Sequence, residues 1–319
     1  MTITQLQYVL AVAEYKNFTL AAQKCFVTQP TLSMQIQKLE EELDVQIFDR
    51  TKKPIQLTEI GQKIVNQAKN IVNESDRIQD IIDQQKGEFG GEFRIAIIPT
   101  VMSTLLPMFL ASFIKKYPKI NLVIEELNTD EIITKLKKGT LDAAIAATPL
   151  HEDGIKEIPL YYEPFVGYFP ESHKNFALKK ITTDDITVDD ILLLQDGHCF
   201  RDGILNICKN KNTQTEKNFH LESGSFETLI RLADEGLGYT LLPYLHTLTL
   251  SDAEKLKLRF FEAPQPAREI SVLYPKNELK MHIVEAFKNI IQGIIRGAIA
   301  FHDVKIISPK YNKYIKKER

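Results

Sequence analysis

Over the first sixty positions apolar residues recur at steps of three and four, the period of helices that bury a single stripe. Leu6, Val9, Leu10 and Ala13 mark a first helix from Leu6 to Tyr15. A second is predicted after Phe18, with Thr19 as its N-cap and Ala21-Ala22 small enough for close packing, and it runs to Cys25. Val27 fills a turn, Thr28 is placed to cap a third helix, and Pro30 falls in its first turn, where a missing N–H does no harm. The stripe of that helix, Leu32, Ile36, Leu39 and Leu43, leaves Gln29, Thr31, Met34, Gln35 and Lys38 facing outward. Arg50, Lys52 and Lys53 stand just before Pro54 in a hairpin-like connection between short apolar segments.

Thr58 is predicted to cap a long helix in which Ala68, Ser75 and Ile82 share one heptad position and Ile64, Ile71 and Ile78 another, a seam suited to pairing with a second copy. It stops at Gly87, and Gly90-Gly91 form a joint. Beyond it the period changes. Strands are expected at Phe93 to Ile98, Leu122 to Glu126, Leu141 to Ala146, Ile191 to Leu194, Tyr239 to Leu242 and Ile270 to Tyr274. Helices are expected at Leu105 to Tyr117, Glu131 to Lys138, after Phe200, at Phe226 to Glu235 and at Met281 to Ile295. This alternation predicts a parallel sheet in two α/β lobes with a ligand-sized cleft between them. The chain is thus an α+β multidomain protein: a small helical head at 1–57, a linker and dimerisation helix with hinge at 58–90, a two-lobed α/β domain at 91–302 and a basic, solvated tail at 303–319.

Short polar side chains at the exposed start of a helix are what a recognition helix presents to base edges in the major groove. Gln29, Pro30, Thr31, Ser33, Gln35 and Lys38 are the candidates for that contact, and Arg50, Lys52 and Lys53 for the flanking phosphates. The pattern is that of a winged helix-turn-helix. The formal net charge of −2 gives no overall attraction to nucleic acid, so this footprint is local. With 44% hydrophobic and 26% charged residues the chain is globular, and the apolar run from Ile290 to Phe301 is broken by Gln292 and Arg296, so no membrane segment and a cytoplasmic protein are expected.

Three cysteines cannot form a disulfide framework in a chain of 319 residues. Cys25 suits the helix-turn-helix core, while Cys199 and Cys208 are open to an inert or a reactive reading. His151, His173, His220 and His282 lack ligand spacing, so neither metal nor cofactor is expected. There is no Gly-rich phosphate loop and no Gly-x-Ser-x-Gly, and an enzyme such as a thiol peroxidase is not expected.

The run Phe18-Thr19-Leu20-Ala21-Ala22, then Thr28-Gln29-Pro30-Thr31-Leu32-Ser33 and Lys38-Leu39-Glu40, resembles the LysR-type transcriptional regulators, with Met34 standing where many relatives carry a basic residue. The likeness covers nearly the whole chain and implies an effector domain resembling periplasmic binding proteins. Asp196-Gly197-His198-Cys199-Phe200-Arg201-Asp202 with Cys208, together with Ile98-Pro99-Thr100, Asn128-Thr129, Ser225-Phe226-Glu227-Thr228-Leu229 and Arg268, is similar to the peroxide-sensing members of that family. The resemblance implies that hydrogen peroxide oxidises Cys199, that Cys208 resolves the product into a disulfide, and that Thr100, Thr129, His198 and Arg268 line the peroxide pocket. It further implies promoter DNA as partner, contact with RNA polymerase, and a homodimer or homotetramer.

The residues suit that chemistry. Peroxide attack requires thiolate, favoured by nearby cations and donors, and His198 and Arg201 adjoin Cys199 in sequence. Thr100 and Thr129 fall where strands give way to helices, at the mouth of an α/β cleft. If Phe200 to Lys209 is helical, the two cysteines lie roughly 13 Å apart on opposite faces. A disulfide needs Cα atoms within about 7 Å, so closing it must unwind that helix, and oxidation is expected to be the switch. The alternative is a regulator whose cleft binds a small-molecule metabolite, with both cysteines incidental.

Overall fold

The computed structural model describes residues 1–85, 90–208, 221–276, 278, 280–299 and 303–309. The chain divides into two compact units, Met1–Phe89 and Gly90–Arg319.

In the first unit α1 (Ile3–Tyr15) begins three residues before the predicted start, because Thr2 and Gln5 close a capping box. The cap of α2 (Phe18–Lys24) is Asn17 rather than Thr19: its extended backbone lets the side chain accept from Thr19 N at 2.8 Å and Leu20 N at 3.0 Å. Thr28 caps α3 (Gln29–Leu43), with Pro30 in the first turn. Leu32, Ile36 and Leu39 are fully buried, but Leu43 is 37% exposed. The end of the stripe belongs instead to Glu40, whose buried carboxylate accepts from Ile47 N at 2.7 Å and Phe48 N at 3.2 Å. A buried acid is tolerated there because backbone donors replace water. The wing is the antiparallel pair β1 (Phe48–Asp49) and β2 (Gln56–Leu57).

Thr58 caps α4 (Glu59–Gln85), its hydroxyl accepting from Gly61 N at 2.9 Å. A Cβ on Gly61 would stand 2.1 Å from Ile47 O, so only glycine lets the chain cross there. Val65, Ala68 and Val72 bury themselves in this unit's own core, and α4 packs on α1. The predicted heptad seam is therefore divided. Ala68 is internal, Ile64 and Ile71 are half-buried, and Ile78 and Ile82 stay exposed at 63% and 40%. The predicted stop at Gly87 lies outside the described residues.

The second unit opens with β3 (Gly91–Ile97), α5 (Pro99–Lys116), β4 (Ile120–Glu126), α6 (Thr129–Lys137) and β5 (Ala143–Thr148), the three strands parallel in the order β4-β3-β5. Next comes a strand that the pattern did not predict, the 14-residue β6 (Ile155–Tyr168), followed by β7 (Lys180–Ile181). Then follow α7 (Cys199–Ile207), α8 (Phe226–Asp234), β8 (Thr240–Pro243), α9 (Tyr244–Thr247), α10 (Asp252–Lys255), β9 (Leu258–Phe261), β10 (Gln265–Pro275), α11 (Met281–Ala298) and β11 (Val304–Ile306). The expected strand at Ile191 to Leu194 reduces to a single bridge between Ile191 and Tyr239.

The sheet is mixed rather than parallel, because the chain crosses between lobes on β6 and returns on β10, and these strands pair antiparallel from Ile155 to Pro164. β10 also pairs antiparallel with β5, and the far end of β6 carries β8 and β9. The β6–β10 register slips between Ile270 and Ser271, leaving Leu160 unpaired as a bulge, so Leu160 and Tyr161 are both buried. Each lobe has its own core. Phe93, Phe113 and Phe287 stack in the first, and Phe165, Phe169, Phe200 and Tyr239 fill the second.

The start of the expected solvated tail is folded. β11 runs parallel to β10, Ile307 N donates to Ala267 O at 2.8 Å, and Asn206 of α7 donates to Ser308 O at 2.9 Å. Residues 310–319 lie outside the described residues. Among the described residues no helix is long and apolar enough to cross a membrane.

Candidate functional site

Two surfaces gather the residues singled out in the sequence. On α3, Gln29, Pro30, Thr31 and Lys38 are exposed at the head's surface, as are Lys52 and Lys53 beside the wing. Ser33 and Gln35 are half-buried. Gln35 accepts from Gln5 of α1 at 3.4 Å, and Ser33 accepts from Arg50 at 3.4 Å. Arg50 also pairs with Glu40 at 2.8 Å and lies over the Phe18 ring at 5.1 Å, so it ties the wing to α3 and is held in place where the lysines are not.

The second surface lies between the lobes. Strand ends β3 and β4 lead into α5 and α6, which brings Thr100 and Thr129 to helix starts. From β10, Arg268 enters 3% exposed. Its Nη1 donates to Thr100 Oγ1 at 2.8 Å and its Nη2 to Thr100 O at 3.0 Å. Nε and Nη2 both donate to Glu163 Oε2, at 3.0 and 2.7 Å. The other carboxylate oxygen of Glu163 accepts from Leu245 N at 2.9 Å, and the Phe200 ring lies 4.9 Å from the guanidinium carbon. A planar fork with five donors suits such two-sided gripping.

Cys199 opens α7 directly after His198 and is buried at 9% exposure in the first lobe's core. Cys208 ends the same helix, 2% exposed in the second lobe's core. They stand nine positions apart, about 13 Å along the helix axis. Neither is in a disulfide.

Burial pushes the Cys199 thiol up from its ordinary pKa; the Arg268 cation, the Thr129 hydroxyl and the Phe200 N–H pull it down, and the Asp202 carboxylate adds to the rise. The balance remains upward. The Thr129 hydroxyl is buried and makes no hydrogen bond of ordinary geometry, yet lies near enough to the sulfur to favour its charged form. His198 is lowered by burial, against a weaker opposite pull from Glu126, so near neutrality it is an uncharged ring. It packs beside Gly224, where a Cβ would stand 3.3 Å from its Nε2. Arg201 pairs with Asp196 at 2.8 Å and donates to Leu194 O at 3.1 Å. The cation acting on the cysteine is thus Arg268, and neither sequence neighbour supplies it. Sequence reasoning missed Glu163, Phe200 as the ring under the guanidinium, and Gly224.

A thiol with a raised pKa stays protonated to higher pH than a free cysteine. Alkylation of Cys199 by iodoacetamide is therefore expected to be slower at pH 7 than that of a free thiol. It should climb about tenfold per pH unit without levelling by pH 8.5, as rates at the Cys199 peptide will show. A plateau below pH 7 would contradict the balance of burial over Arg268.

Residues 3–62 match the bacterial regulatory helix-turn-helix protein family of the lysR type, and residues 86–294 match the LysR substrate binding domain. The chain is 32% identical over 274 residues to the hydrogen peroxide-inducible genes activator of Pectobacterium carotovorum subsp. carotovorum, covering 86% of this chain and 90% of that one. It is equally identical to the DNA-binding transcriptional dual regulator OxyR of Escherichia coli K12, over 86% of this chain and 89% of that one. Full-length Pseudomonas aeruginosa OxyR carrying a cysteine-to-aspartate change superposes with a TM-score of 0.75 at 32% identity, over 92% of this chain and 98% of that one. A hydrogen-peroxide-bound cysteine-to-serine variant of Corynebacterium glutamicum OxyR gives 0.61 at 28% identity, with 93% of each chain covered. With its helix-turn-helix head and its two-lobed effector domain both matched, the chain belongs to the LysR family of DNA-binding transcription regulators.

Proposed function

We propose that this regulator senses hydrogen peroxide through Cys199 and Cys208 and passes the signal to promoter DNA as a reversible disulfide. The observation that carries the reading is the clustering of Arg268, Thr100, Thr129 and His198 about the thiol that opens α7, with a second thiol at the far end of the same helix. The names of the relatives support it.

The step balances. The Cys199 thiolate attacks one peroxide oxygen, the O–O bond breaks, and the second oxygen leaves as hydroxide and is protonated to water, giving a sulfenic acid. The Cys208 thiolate then attacks that sulfur, expels the hydroxyl as a second water once protonated, and closes the S–S bond. Two thiols lose two electrons and peroxide gains them. Arg268 and Thr100 are suited to hydrogen-bond the departing oxygen, and the neutral His198 to orient peroxide.

Because the helix holds the sulfurs too far apart to bond, closure demands that α7 unwind and its lobe repack. That refolding changes how effector domains pair and thereby the spacing of DNA-reading heads along a promoter, with RNA polymerase as the eventual partner. The exposed Ile60, Ile78 and Ile82 on α4 support an assembly of two or four copies. The test is promoter footprinting of reduced and mildly peroxide-treated protein with peptide mass spectrometry of the same samples. A Cys199–Cys208 bridge and a changed footprint are expected; a footprint that changes without the bridge would overturn the mechanism.

A further inference from the structure

Glu163 reaches the cysteine site from β6, an element that carries none of the residues recognised in the sequence. It is 1% exposed, and a carboxylate buried so deeply needs compensation on both oxygens. Here Oε1 is fixed by the Leu245 N–H at the start of α9, while Oε2 takes both Nε and Nη2 of Arg268. With that edge of the guanidinium occupied, Nη1 is left to meet the Thr100 hydroxyl. The anion also faces the cation that acts on Cys199. Among the described residues, the other charged or titratable groups acting on the pair and the thiol are Tyr161 on β6 and Asp202 on α7, with Glu126 on β4 acting on His198.

We propose that Glu163 is the positioning residue of the site: it aims Arg268 at Thr100 and offsets its charge, so that Cys199 rests as a quiet thiol and responds selectively to a small oxidant. Arg268 freed of this partner would present a whole positive charge to the sulfur in a medium that screens it poorly. The thiol would then ionise more readily, while the guanidinium would lose the grip that orients its donors. The selectivity part rests on the peroxide reading above; the quiet-thiol part does not.

The experiment measures the pH dependence of iodoacetamide alkylation at the Cys199 peptide, and the peroxide oxidation rate at the same peptide. It uses the full chain as parent, E163Q, E163D, R268A and the double variant E163Q/R268A. In E163Q the alkylation profile is expected to move about one unit to lower pH, which is about tenfold faster alkylation at pH 7. That shift should vanish between R268A and the double variant, because Glu163 acts through Arg268. The ratio of peroxide to iodoacetamide rates should fall about tenfold or more in both E163Q and E163D. An E163Q profile that coincides with the parent, or a shift that persists without Arg268, overturns the proposal. Where circular dichroism shows E163Q unfolded, E163D decides: it keeps the charge but withdraws its reach, so the parental profile with lost peroxide selectivity supports the role, and parental selectivity overturns it. A parent that alkylates at Cys199 yet resists peroxide sinks the peroxide reading alone and leaves the alkylation comparison intact.

Discussion

Replacing Cys199 with serine is expected to abolish the promoter's response to peroxide while leaving DNA binding by the reduced form unchanged. The hydroxyl has the thiol's shape and is slightly smaller, and the site's donors and the neutral His198 remain, so folding should survive. What disappears is the nucleophile, since only a thiolate attacks peroxide at a useful rate. The companion Cys208→Ser separates the two steps. Its Cys199 should still consume one equivalent of peroxide and accumulate with one added oxygen, visible by mass spectrometry, but no intrachain bridge should form. Reporter transcription in peroxide-treated cells is the decisive measurement. If Cys199→Ser still responds, the signal enters through a metabolite held in the cleft and the cysteines are incidental.

Arg268→Ala should have the largest effect on stability, because it strands Glu163 as a buried anion with only the Leu245 N–H for company. Breaking a buried pair from one side costs about 3–5 kcal/mol. For a domain of this size that lowers the melting temperature by roughly 6–20 °C. A double replacement, Glu163→Leu with Arg268→Met, removes both charges together and should recover most of that loss, since a buried pair is often replaceable by apolar groups of similar volume. It should not recover peroxide reactivity, because no donor then faces Thr100. Differential scanning calorimetry beside peroxide oxidation rates distinguishes these outcomes. A double variant as unstable as Arg268→Ala would mean that shape, not unpaired charge, dominates there.

The head was legible in sequence because each of its signals is local. Thr28 caps, Pro30 starts a helix, and Leu32, Ile36 and Leu39 keep one face. The failures there came from competition between neighbours. Asn17 outbid Thr19 as cap, and Glu40 displaced Leu43 from the stripe because backbone donors of the wing await it. In the effector domain the same local logic placed Cys199, Thr100 and Thr129 near helix starts. It could not place Arg201, whose charge is taken by Asp196 and the Leu194 carbonyl, nor Glu163, whose partner lies 105 residues away. The strand bearing Glu163 was itself invisible: Pro159 and Pro164 interrupt it, and consecutive buried residues at Leu160 and Tyr161 break the alternation that identifies strands.

That interruption at Leu160 is a matter of parity. Side chains of a strand alternate faces, so inserting or removing one residue inverts everything that follows. The unpaired Leu160 resets the count on β6, after which Tyr161 and Glu163 point inward and Tyr162 outward. The inward carboxylate is therefore written less in the glutamate's identity than in the number of residues preceding it. A relative one residue shorter before this point would offer Arg268 the opposite face of the strand, and could keep every cysteine, threonine and arginine of the site without being able to assemble it.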